Sequence, residues 1–194
     1  MMRIYFILLL FPFTSCGQTN HEFKLQDSFP VNLKNPVCIT KNDCFCFSSD
    51  SSVFYLVMHY SDAKCEDKKL ADTVDFSPYK SRLHLFKSEK RDSYIVLWET
   101  EYEYYPVLLA YYVSNRNIVK IGELTISLPC QSCKSFEYPI KDIRVMQEKE
   151  EIAISFLKDV NYRTEEGNKW KLYKAGALRY RFNTETSELK LIGL

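Results

Sequence analysis

The feature that most constrains this chain is a recurring period of two. Aromatic and β-branched residues alternate with polar ones in short runs, which is the pattern of strands with one buried face. In residues 53–60, Phe54, Leu56, Met58 and Tyr60 fall on one side and are expected to be core. Residues 107–113 and 118–128 flank Ser114-Asn115-Arg116-Asn117, whose asparagines tolerate the backbone conformations of a hairpin loop. Residues 144–147 and 152–156 form a second such pair around Glu148-Lys149-Glu150-Glu151, with Ile152, Ile154 and Phe156 sharing a face. A third closes the chain: Leu178, Tyr180 and Phe182 alternate before Asn183, and Leu189 and Leu191 return. The pattern predicts an all-β antiparallel meander of hairpins, forming a sandwich or barrel-like single domain. The alternative is α+β, because residues 63–74 offer Leu70, Ala71 and Val74 as a short helical stripe.

Before this region lies a different signal. Met1-Met2-Arg3 precedes an apolar stretch over residues 4–13 and then the small residues Thr14 and Ser15, the three-part layout of an export signal. About ten apolar residues are roughly half of what a helix needs to cross a bilayer. Phe13-Thr14-Ser15-Cys16 resembles the lipobox of bacterial lipoprotein precursors, and the composition of residues 15–20 is similar to that of Bacteroidota lipoproteins. The resemblance implies cleavage before Cys16, lipidation of its thiol and acylation of the new amine. It implies residence in the bacterial cell envelope, facing the periplasm and held at a membrane, with the outer membrane as one option. Two or more acyl chains hold a protein firmly at a bilayer.

The expected organisation is a signal peptide over residues 1–15, a lipidated polar tether over 16–34 and one β-rich domain over 35–194. Lys and Arg number 26 against 25 Asp plus Glu, and Arg3 is the only charged residue before Cys16, so the mature chain is formally neutral. Without a basic excess, nucleic acid is a poor partner.

Besides Cys16 there are six cysteines, and an even number in an exported protein favours disulfides. Their pairing is open among fifteen possibilities. Cys130 and Cys133 are close enough to bridge a tight turn after Pro129. Their C-x-x-C spacing is also that of thiol-disulfide oxidoreductases, where a helix N-terminus activates the first thiol. Residues 134–139 show no helical period and end in Pro139, so a structural bridge is the preferred reading and envelope thiol exchange the alternative. Cys44-Phe45-Cys46 is C-x-C without a nearby histidine pair, which argues against a zinc knuckle. No cofactor or metal is expected.

His21 falls in the expected tether, and His59 and His84 alternate within expected strands, where a packed or surface role is commoner than catalysis. The stretch Trp98 to Pro106 is unusual: as a strand it places Glu99, Glu101 and Glu103 on one face and Trp98, Thr100, Tyr102 and Tyr104 on the other. Three carboxylates in a row repel one another unless cations face them. The carboxylates, with Trp98 and Tyr102 as aromatic anchors, are therefore the candidate contact for a protein partner. The sequence reads as a lipid-anchored, non-catalytic binding or accessory module, an immunity-type protein being one version.

Overall fold

Alternation becomes a ladder when each strand finds neighbours for both edges. The computed structural model describes residues 20–30, 37–38, 43–50, 53–60, 73–74, 82–102, 105–115, 117–127, 138–164 and 169–193, and of those at 37–74, 101–102 and 105–106 the backbone alone. The strands are β1 (His21–Pro30), β2 (Val37–Cys38), β3 (Asp43–Asp50), β4 (Val53–Tyr60), β5 (Thr73–Val74), β6 (Arg82–Ser88), β7 (Ser93–Tyr102), β8 (Tyr105–Ser114), β9 (Asn117–Glu123) and β10 (Ile126–Ser127). After a 3-10 turn at Ile140–Asp142 come β11 (Ile143–Glu148), β12 (Glu151–Phe156), β13 (Val160–Arg163), β14 (Trp170–Tyr173), β15 (Leu178–Asn183) and β16 (Glu188–Gly193). The fold is all-β, as the alternation predicts.

Nine strands make one antiparallel sheet in the order β16-β15-β12-β11-β1-β6-β7-β8-β9, which curls until its edges nearly meet. A three-stranded sheet, β10-β13-β14, and a four-stranded one, β2-β3-β4-β5, complete the described strands. The three expected hairpins are present. Ser114 pairs with Asn117 across a two-residue loop in which Asn115 has φ 50°. Glu148 pairs with Glu151, with Lys149 at φ 55°. Asn183 pairs with Glu188, and its side-chain oxygen accepts from the amides of Glu185 and Thr186, both at 2.9 Å. Of residues 63–74, the alternative short helix, 63–72 lie outside the described residues and Thr73–Val74 is strand β5; the side chains of 53–60 also lie outside them.

The tether expected over residues 16–34 needs correction. Residues 21–30 are β1, and β1 stands in the middle of the sheet between β11 and β6. Phe23 is 2% exposed and belongs to the core, and Leu25 packs against it. The alternation His21, Phe23, Leu25 is short, and its partners lie far along the chain, so nothing local marks it as a central strand.

The inward face of the curled sheet holds one continuous core. Phe86, Leu97, Leu108, Val145, Ile154 and Phe182, from six different strands, are all essentially inaccessible to solvent. Each such side chain contributes about 1.5–3 kcal/mol on burial. At the end where β1 begins, the inward positions turn polar: His21, Ser88, Ser93 and Gln147 are all buried. The opposite face of β6, β7 and β8 is covered too, since Leu83, Leu85, Val96, Trp98, Val107 and Leu109 are buried. Strands buried on both sides read as continuous apolar runs instead of clean alternation.

Closure depends on β9 and β16. Gly122 has φ +145°, and a Cβ built there would stand 2.7 Å from Cδ2 of Leu189 on β16. It follows a register irregularity opposite Ala110 and Tyr111. Glycine suits this position because a side chain would strain the backbone and displace the tip of Leu189.

Candidate functional site

Side chains of the core fill much of the barrel interior, and among the described residues space opens towards the end where β1 finishes. There the curled sheet and the segment 138–142 border an open cavity of about 470 Å³. Ser28, Arg82, His84 and Glu99 line it from the strands. Leu25, Tyr138, Pro139 and Ile140 supply an apolar wall, and Lys141 and Asp142 stand beside them.

Three of these side chains are joined. Ser28 Oγ lies 2.8 Å from His84 Nδ1, and His84 Nε2 lies 2.8 Å from Glu99 Oε2. An ionised carboxylate can only accept, so Glu99 holds a proton on Nε2. In the neutral ring that leaves the Nδ1 lone pair aimed at the Ser28 hydroxyl, which donates to it. His84 is 3% exposed, whereas the Glu99 side chain keeps 27% of its surface and Ser28 is exposed at the cavity.

Each member is placed by register. His84 and Phe86 alternate inward on β6, opposite Leu97 and Ile95 of β7, and Glu99 follows Leu97 on the same face. On β1 the ladder slips between Leu25 and Asp27, so that Leu25 faces Phe86 and Ser28 faces His84. The extra residue, Gln26, is what keeps both Leu25 and Ser28 on the inward face, a usual role for a bulge. Asp27, displaced outward, accepts the backbone N–H of Ser28 at 2.7 Å.

The charges at the rim are unevenly engaged. Glu99 is held by His84, and Asp142 by Lys158 at 2.9 Å. Arg82 and Lys141 make no ion pair among the described residues. Both cations are exposed, so the site offers a ligand two positive charges, beside the Glu99 carboxylate, against an apolar wall.

The structure separates the residues expected to act together. Trp98 is fully buried, so its role as an exposed partner anchor is withdrawn; with Thr100, also buried, it packs on the covered outer face of β7. Glu99 is turned into the barrel mouth instead of standing in an outward carboxylate ladder. Glu101 and Tyr102 belong to β7, but their side chains lie outside the described residues, as do Glu103, Cys16, Cys130 and Cys133 entirely. Cys38 stands opposite Cys44 in the β2–β3 ladder. Among the described residues no three His, Cys, Asp or Glu side chains gather as metal ligands, and no helix is long and apolar enough to cross a membrane.

The alternation does foretell that Arg82, His84 and Phe86 share a face, but Ser28 is hidden by its position in the apparent tether. The chain matches no protein-family model, no curated protein and no solved structure.

Proposed function

We propose that this protein is a lipid-anchored binding domain of the bacterial cell envelope whose barrel mouth takes a small organic anion with an apolar tail, such as a medium-chain carboxylate. The observation that carries the reading is the cavity itself: Arg82 and Lys141, without ion pairs among the described residues, face an apolar wall of Leu25, Tyr138 and Ile140. Barrel mouths are a recurrent place for such ligands, with a few polar groups fixing orientation.

The anchor rests on the motif ending at Cys16. If Cys16 carries lipid, only residues 17–20 separate it from β1, a reach of at most about 18 Å. Ser28 lies seven residues further along β1, roughly 23 Å from its start. The cavity mouth is then at the end of the barrel away from the membrane. A protein partner on the acidic strand has less support, since Glu99 has an internal partner and Trp98 is buried.

Titration of the labelled protein with sodium octanoate, followed by amide chemical shifts, tests the ligand class. Saturable shifts are expected for residues 25–28, 82–84 and 138–142. A charge-assisted hydrogen bond contributes about 1.5–3 kcal/mol, so Arg82→Ala is expected to weaken binding by roughly 10- to 100-fold. Equal affinity for octanol and octanoate, or an Arg82→Ala variant that binds like wild type, would refute the anion reading.

A further inference from the structure

We propose that Ser28, His84 and Glu99 form a hydrolytic triad, and that the cavity cleaves small carboxylic esters whose acyl product is the carboxylate recognised above. The inference rests on that reading for its substrate class and on a separate observation for its chemistry: two consecutive 2.8 Å hydrogen bonds that link a solvent-reachable hydroxyl, a buried imidazole and a carboxylate inside one cavity.

A serine hydroxyl is a weak nucleophile until a base takes its proton, and a base works best when a third group fixes its tautomer. Glu99 does this for His84. Its hold on Nε2–H leaves Nδ1 as the acceptor that faces Ser28, and the ring, 3% exposed, is fixed by a hydrogen bond at each nitrogen. The two ring nitrogens are used in the reverse order from serine proteases, but a triad is defined by which lone pair meets the hydroxyl, not by its ring position. A salt bridge serving stability alone would not need a hydroxyl on the far nitrogen, nor would it be built where the barrel opens.

The step balances without an external oxidant or reductant. Ser28 Oγ attacks the ester carbonyl carbon as its proton passes to His84 Nδ1, giving a tetrahedral oxyanion. The C–O bond to the alcohol breaks, and the departing alkoxide takes the proton from Nδ1. Water then attacks the acyl-Ser28 carbonyl and gives a proton to Nδ1, the bond to Oγ breaks, and Ser28 recovers its proton. Ester and water become carboxylic acid and alcohol. The amide of Ser28 already donates to Asp27, so the cation that meets the oxyanion is Arg82, which borders the same space on the strand paired with β1. Leu25 and Ile140 accommodate the acyl chain. Ser28 and His84 are the catalytic residues, and Glu99 is a positioning residue.

The experiment uses the full chain with three readouts: covalent labelling by a fluorophosphonate with peptide mapping, hydrolysis of p-nitrophenyl butyrate, and the octanoate titration. The expected results are one adduct, on Ser28, and a rate that falls about 100-fold or more in Ser28→Ala, a change at an exposed position that leaves the fold intact. In Glu99→Gln the adduct forms more slowly and the pH profile of kcat moves, while KM stays near wild type; a merely structural Glu99 would leave that profile in place. No adduct at Ser28, or hydrolysis unchanged in Ser28→Ala, overturns the triad. If octanoate still binds in that case, the cavity reading survives alone; if it does not, both fall. A Ser28 adduct with hydrolysis but no octanoate binding upholds the triad and removes only the carboxylate preference.

Discussion

The closure of the barrel can be tested with one methyl group. Gly122→Ala adds a Cβ where the backbone has φ +145° and where Leu189 Cδ2 would lie only 2.7 Å away. A non-glycine residue at such a dihedral costs of order 1–3 kcal/mol. Moving Leu189 off its rotamer, or moving β16, adds about 0.5–1.5 kcal/mol. The total is roughly 2–4 kcal/mol. For a domain of this size each kcal/mol shifts Tm by about 2–4 °C, so a fall of roughly 5–15 °C is expected in a thermal melt followed by circular dichroism. Gly176 provides the control, because it too has positive φ, +75°, but a Cβ there meets nothing within 4 Å. Gly176→Ala is expected to cost only the backbone contribution, about 1–2 kcal/mol. Combining Gly122→Ala with Leu189→Ala closes a double-mutant cycle, in which a favourable coupling of about 0.5–1.5 kcal/mol reports the contact between the edges. If Gly122→Ala loses no more stability than Gly176→Ala, β9 and β16 do not meet as described and the sheet is open.

Two further outcomes follow from particular residues. Burial first, and then the nearby Lys90 and Arg91, hold the pKa of His21 below the ordinary histidine value, and its Nδ1 has no hydrogen-bond partner among the described residues. The unfolded chain therefore binds the extra proton more readily: stability is full above about pH 6.5 and falls as the pH drops toward the folded-state value. Urea titrations between pH 8 and 5 should show this slope, and His21→Gln should flatten it; an equal slope in both proteins would assign the acid sensitivity elsewhere. Cys16→Ala is expected to release the protein from membranes or leave an uncleaved precursor, and mass analysis of an N-terminal peptide that does not begin at an acylated Cys16 would contradict the anchor.

How much of this was legible depended on how far each residue's cause lay from it in the chain. Hairpin turns are local, so Asn115 and Asn183 announced them: one supplies a left-handed backbone, the other two side-chain hydrogen bonds within three residues. Trp98 misled because alternation assigns one wet face to every strand, whereas β7 is covered on both. Tyr94 and Val96 share the outer face of Trp98, and the unbroken apolar run from Tyr94 to Trp98 is the trace of that double cover. Glu99 read as a member of a ladder because its partner His84 is set by strand register, which a single sequence does not display.

The site was hidden for the same reason, carried further. Ser28 and His84 are 56 positions apart, and they meet because β1 pairs with β6 while its other edge pairs with β11. One strand thus performs two tasks. Its Phe23 joins the halves of the core, and its bulge sets Ser28 against His84. The tasks are separable in principle, because the first depends on the ladder before Gln26 and the second on the ladder after it. Changes at Phe23 act on stability and reach the cavity only through it, whereas changes at Ser28 act on the cavity directly. A chain segment with the composition of a spacer is the element on which both the fold and the proposed site converge.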